Sequence, residues 1–167
     1  MKDSNWTFNK SLKEATPYII AEIGVNHECS LDKAFELIQK AKYGGANAVK
    51  FQFYKAETIA SVNSPAYWDT QFEQTANQYD LFRKYDKFDK QDYLQLAKYC
   101  NDLKIDFVCT PFDEETVDFL APLVQFFKIA SADITYTQLI KRIAGKGKSV
   151  LLSTGASTIE EIQDALN

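Results

Sequence analysis

The sequence predicts an α/β fold built on a parallel sheet, and three observations carry that reading. Short apolar, strand-like runs alternate with segments of helical spacing about five times. Glycine or a helix-capping residue marks most of the switches between them. No two-residue hairpin turn joins one apolar run to the next. Strands separated by helices return in the same direction, so the pattern implies either a doubly wound sheet or a (β/α)8 barrel with helices outside.

The first strand is expected over Tyr18 to Ile23, closed by Gly24. Ser30 then caps a helix whose apolar positions Leu31, Ala34, Phe35, Leu37, Ile38 and Ala41 recur at helical spacing, ended by Gly44-Gly45. The second strand is Ala46 to Phe53, and it carries Lys50 inside an apolar run. A second helix starts at Asp89, with Tyr93, Leu94, Leu96, Ala97, Cys100 and Leu103 turned inward. Strand three, Ile105 to Thr110, stops at Pro111, because the residue before proline is pushed to extended geometry. Asp113, Glu114 and Glu115 suit the first turn of the next helix, where the macrodipole favours anions.

The fourth strand, Val124 to Ser131, holds Lys128, a second lysine in an apolar run. Thr137 to Ala144 reads as a short helix ended at Gly145, and Ser149 to Thr154 as strand five. Ser157 with Glu160 predicts a capping box for a last helix running to Asn167. One segment breaks the rhythm. Residues 54–88 carry Tyr67, Trp68, Phe72, Tyr79, Phe82, Tyr85 and Phe88 among polar residues. That is too long for an ordinary strand-to-helix loop; it is either a ligand-contacting lid or an amphipathic helical decoration.

With 167 residues the chain fits one domain able to bury a sizeable core. A net charge of -4 argues against a general nucleic-acid or membrane-surface binder, which needs a basic face. The amino end, Met1 to Trp6, lacks the apolar core of a signal peptide, and no run is long enough to span a bilayer. Cys29, Cys100 and Cys109 are odd in number and without CxxC spacing, as expected of reduced thiols in a cytoplasm.

Ligands of parallel α/β proteins bind at the carboxyl ends of the strands. Those ends supply Glu22, Asn26 and His27, then Lys50 and Gln52, then Thr110, then Lys128, Ser131 and Asp133, and finally Ser153 and Thr154. A buried cation is tolerated when an anion or a hydrogen-bonding site meets it, so the two lysines suggest one shared anionic ligand. Ammonium groups supply charge and hydroxyls supply directed donors, the equipment for a small phosphate- or carboxylate-bearing molecule. There is no P-loop and no GxGxxG, which argues against a nucleoside triphosphate or a dinucleotide. Plainer roles exist for each residue. A lysine can snorkel, Glu22 can be a structural partner of Lys50, His27 can be a hydrogen-bonded structural group, and Ser153 can serve a turn.

Five segments, in this order, resemble the sialic acid synthase family: Ile20-Ala21-Glu22-Ile23-Gly24-Val25-Asn26-His27; Ala48-Val49-Lys50-Phe51-Gln52; Cys109-Thr110-Pro111-Phe112-Asp113; Phe127-Lys128-Ile129-Ala130-Ser131-Ala132-Asp133; and Leu152-Ser153-Thr154-Gly155. The resemblance implies a (β/α)8 TIM-type barrel, here truncated after about five βα units. It gives an N-terminal extension over residues 1–17, the N-terminal part of the barrel over 18–167, and an antifreeze-like C-terminal domain absent from this chain. It also implies a homodimer and a condensation of phosphoenolpyruvate with N-acetylmannosamine or a related N-acetylated amino sugar.

By the same resemblance, Lys50, Thr110, Lys128, Ser131 and Ser153 bind phosphoenolpyruvate. Glu22 and Asp133 are the catalytic acidic groups, with Asp133 standing where the family often has glutamate, and Asn26, His27 and Gln52 support them. A divalent metal, Mn2+ or Mg2+, is implied for the full-length enzyme, with its ligands downstream and none in this chain. A chain of this length is therefore expected to be inactive alone. Two other readings stand beside it: a Schiff-base aldolase or lyase using Lys50 or Lys128 as nucleophile, and a non-catalytic half barrel that binds only a ligand or a complementary chain.

Overall fold

A computed structural model describes residues 17–167, so the expected extension over 1–17 lies outside the described residues except for Pro17. Five parallel strands alternate with helices: β1 (Ile20–Gly24), α1 (Leu31–Tyr43), β2 (Ala48–Phe53), α2 (Ala56–Ile59), α3 (Gln78–Tyr85), α4 (Lys90–Asp102), β3 (Asp106–Pro111), α5 (Glu114–Leu120), β4 (Phe127–Ile129), α6 (Thr137–Ala144), β5 (Val150–Leu152) and α7 (Ile159–Leu166). The strands fall into two ladders, β1-β2-β3 and β4-β5, with β4 lying against β3. This is the strand-helix repeat of the (β/α)8 type, with five units present.

Local chemistry sets the helix starts. The Ser30 hydroxyl accepts the Lys33 N–H at 3.3 Å, and Ala34 and Ile38 turn inward from α1. Asp89 and Asp92 form a reciprocal capping box at α4, and Asp113 accepts the Thr116 N–H at α5. At α7 the expectation is off by one residue. Thr158 and Glu161 make the box, while the Ser157 hydroxyl donates to the Gly155 carbonyl. The run Ser-Thr-Ile-Glu-Glu offers both registers, and only one lets the helix begin beyond the turn at Gly155. Strand β4 is also shorter than expected: Ser131–Asp133 leaves the ladder as a 3-10 turn.

The strands have two unlike faces, because successive side chains point to opposite sides. Under the helices lie Val49, Phe51, Phe53, Phe107, Cys109, Phe127 and Ile129, packed with Ile38, Leu96, Val117, Leu139 and Ile143. The opposite, inner face has a small apolar floor of Ala48, Val108 and Phe126, bordered by Tyr18, Ile20 and Leu151. The Tyr18 hydroxyl donates to Asp106 at 2.5 Å beside this floor. Two residues further along each strand the inner face turns polar.

The excursion over 54–88 contains two helices, α2 and α3, and an isolated antiparallel bridge between Pro65 and Asn77. Its neck is tied shut. The Lys55 ammonium donates to the Asp86 and Phe88 carbonyls, and the Ala56 N–H to the Asp86 carboxylate. Phe88 and Tyr54 are buried, whereas Tyr67 and Phe72 are exposed.

Candidate active site

The polar end of the inner face begins with strand register. Glu22 on β1 sits directly across from Lys50 on β2, and the two form an ion pair. A bulge follows, so that Gly24 rather than Ile23 opposes Phe51. Gly24 has φ 55°, a conformation that costs a side chain energy. A Cβ there would stand 3.0 Å from the Glu22 carboxylate and 3.7 Å from the Gln52 amide. Glycine thus lets Glu22 and Gln52 fold over the end of β1.

Gln52 pairs with Thr110 across β2 and β3, and the Tyr93 hydroxyl donates to the Gln52 carbonyl at 2.6 Å. Thr110 is buried. On β4, the Lys128 ammonium donates to the Ile129 carbonyl at 2.6 Å. Its pKa is lowered, chiefly by burial and next by the Lys50 charge; Glu22 and Asp133 pull the other way. The two cations and two carboxylates therefore feel one another. Asp133 is raised by burial, with Lys128 opposing, and its Oδ2 is buried without a hydrogen-bond partner. A carboxyl whose proton affinity is raised by burial, near a partly desolvated ammonium, is suited to proton transfer and to binding an anion.

The 3-10 turn carries Ser131 to the loop after β5. A Cβ on Gly155 would lie 3.4 Å from the Ser131 hydroxyl, so this loop closes directly on Ser131. The Ser153 N–H donates to the Ile129 carbonyl, extending the β4-β5 pairing to the end of β5. Glu22, Lys50, Gln52, Thr110, Lys128, Ser131, Asp133 and Ser153 thus all lie at the carboxyl ends of parallel strands.

Two expected residues stand apart. The Asn26 amide turns back to the Ile23 carbonyl at 2.9 Å and lies exposed. His27 is 1% exposed, stacked on Phe88 at 4.3 Å. Tyr93, Gly24 and Gly155 were not expected at the site, because the contact of Tyr93 with Gln52 and the approaches at the two glycines join residues distant in sequence or folded back by turns, which leave no local sequence signal. Among the described residues no group of three or more His, Cys, Asp or Glu side chains is arranged to hold a metal ion. No helix among them is long and apolar enough to cross a membrane.

Comparison with known proteins then decides the family, because the NeuB family model matches residues 37–167. The chain belongs to the NeuB family. It is 37% identical over 155 residues to the N,N'-diacetyllegionaminic acid synthase of Legionella pneumophila, covering 91% of this chain and 43% of that protein. The synthase of the same name from Campylobacter jejuni is 39% identical, with 89% and 45% covered. Among solved structures, the N-acetylneuraminic acid synthetase of Leptospira borgpetersenii in complex with citrate superposes with a TM-score of 0.78 at 32% identity, covering 91% of this chain and 49% of that one. This NeuB-family chain spans less than half the length of the relatives it matches.

Proposed function

We propose that the protein carrying this chain condenses phosphoenolpyruvate with N-acetylmannosamine or a related N-acetylated amino sugar, giving a nonulosonic acid and phosphate. The observation that carries the reading is the convergence of Lys50, Lys128, Glu22 and Asp133 at adjoining strand ends, within mutual electrostatic reach. Family membership, and the synthase names of the relatives, support the chemistry.

In this reading Lys50 and Lys128 meet the carboxylate and phosphate as cations, and Thr110, Ser131 and Ser153 donate to their oxygens. Carbon 3 of phosphoenolpyruvate forms a bond to the aldehyde carbon of the open-chain sugar, whose oxygen takes up a proton. Water adds at carbon 2, and phosphate departs with its bridging oxygen. Asp133, held toward its neutral form by burial, is suited to supply the proton, and Glu22 faces the same space from β1. Gln52, whose amide lies with the Glu22 carboxylate over Gly24, has a supporting role.

A divalent metal, Mn2+ or Mg2+, belongs to the proposal for the intact protein. The described residues of this chain do not form a ligand set for it. A homodimer and a cytoplasmic location are likewise part of the proposal; the half-buried Cys29 and the buried Cys100 and Cys109 are free thiols, which fits a reducing compartment. The test is calorimetric titration of phosphoenolpyruvate into the chain, with a product assay of the intact protein against a panel of N-acetylated sugars. No binding and no sugar-acid product would sink the reading.

One observation favours a second reading. A lysine of lowered pKa beside another cation is the equipment of a Schiff-base enzyme, and Lys128 has both features. Borohydride trapping of a pyruvate adduct on Lys128 would favour that aldolase; its absence leaves the lysine a binding cation.

A further inference from the structure

His27 is the chain's one histidine, and the ring of charges does not use it. It sits in a loop with an unusual backbone. Glu28 and Cys29 have φ 50° and 60°, and no other two adjacent non-glycine residues among those described share the left-handed region. Such residues cost on the order of 1 kcal/mol each and persist where the surroundings over-determine them. The His27 ring is part of what holds this loop. Its Nδ1 accepts the Cys29 N–H at 3.1 Å, which requires that nitrogen to be unprotonated.

The neutral ring therefore carries its proton on Nε2, an atom that is buried and makes no well-formed hydrogen bond. The Gly24 backbone lies against the same ring and favours a proton on it. Gly24 in turn is the residue over which the Glu22 carboxylate and the Gln52 amide fold. On its faces the ring stacks against Phe88 at 4.3 Å and 8°, and tilts against Phe51 at 5.9 Å. Phe88 ends the 54–88 excursion, and its carbonyl is held by Lys55. One imidazole thus touches the turn that presents Glu22, the strand that presents Lys50 and the neck of the excursion.

We propose that His27, as the neutral Nε2–H tautomer, is a positioning residue that fixes Glu22 through the Gly24 turn and ties that turn to the excursion. It is not a catalytic residue, since its buried ring is taken up by Cys29, Gly24, Phe51 and Phe88. The role in turnover rests on the synthase reading; the tautomer and its coupling to Glu22 do not.

Two measurements test it. In the chain labelled with 15N-histidine, a long-range 1H–15N spectrum at pH 7 reports one imidazole. The Nε2–H tautomer, with ring resonances that move in Glu22→Gln, is expected; an Nδ1–H tautomer, a cationic ring, or resonances indifferent to Glu22→Gln would overturn the proposal. In the intact protein, His27→Phe keeps the stack and removes both nitrogens. Folding by circular dichroism and phosphoenolpyruvate affinity within about twofold should persist, while kcat falls about 10- to 100-fold. Unchanged kcat, or equal losses in affinity and kcat, would overturn it. If His27→Phe fails to fold, the tautomer and the Glu22→Gln response decide. Absent phosphoenolpyruvate binding by the unmutated protein would sink the synthase reading instead, leaving the spectroscopic result to stand by itself.

Discussion

The two faces of the same strands do opposite work. On β2, Val49, Phe51 and Phe53 point under the helices and are buried, while Lys50 and Gln52 alternate with them onto the inner face and stay half-buried. On β4, Phe127 and Ile129 flank Lys128 in the same way. Within a few residues the chain spends apolar side chains on stability and charged ones on a site whose groups partly frustrate each other. A two-residue period makes this division possible, since neighbouring residues never share a face. The lesson is that mutations one position apart should read out different quantities.

The largest expected effect lies on the helix-covered face. Phe51→Ala should cost about 3–5 kcal/mol of unfolding free energy, because a fully buried ring leaves a cavity between β2, His27 and Phe107. Chemical denaturation measures it, and a loss under about 1 kcal/mol would break the comparison.

Acid should find the same face. Burial lowers His27 to about 4, against an ordinary value near 6.5, with the Gly24 backbone and the Asp92 charge opposing. Between those values the unfolded chain binds a proton that the folded chain refuses. Stability is therefore intact above pH 6.5 and falls as pH drops toward 4, by up to about 3 kcal/mol from this group. Denaturation midpoints across that range should show the slope, and His27→Phe should flatten it. A slope that survives the substitution assigns the acid sensitivity elsewhere.

One residue away from Phe51 the readout should change. Lys50→Met should leave the fold in place and weaken phosphoenolpyruvate binding about 100-fold, close to 3 kcal/mol. The substitution removes a cation and also leaves Glu22 to repel the ligand. Lys128→Met should weaken it less, because that ammonium donates to the Ile129 carbonyl rather than to a carboxylate, and burial already favours the neutral form of the nearby Asp133. Equal affinities in calorimetry for either variant and the parent would erase the functional half of the comparison. The smallest effect belongs to Thr110→Val, which keeps the shape and loses one hydroxyl. Its affinity should fall about 5- to 10-fold with stability within about 1 kcal/mol, on the scale of one hydrogen bond.

Much of this division was legible before the structure. The helix over Thr137–Ala144 ends where its periodicity and Gly145 place it, and the two lysine strands are where the apolar runs put them. Alternation and parallel topology suffice to put Glu22, Lys50, Gln52, Thr110, Lys128, Ser131, Asp133 and Ser153 at one end of the strands, whereas Asn26 and His27 stand apart. What the sequence left open depends on register and on long-range packing. That Glu22 faces Lys50 follows from a β1-β2 pairing with a bulge, which no local pattern specifies. His27 read as one of the strand-end polar group, yet its aromatic neighbours lie at positions 51 and 88, one of them 61 residues away at the excursion's end. The capping box at α7 slipped by one because two overlapping matches differ only in where the preceding turn closes.

The break between the two ladders has a mechanical meaning. Lys50 and Thr110 ride on the three-stranded sheet, Lys128 and Ser153 on the two-stranded one, and β3 and β4 meet without sharing a ladder. The seam between the two ladders runs between the two cations. The jaw formed by Lys50 and Lys128 therefore spans both ladders, so that an anion bridging the lysines would act as a clasp joining the two sheets.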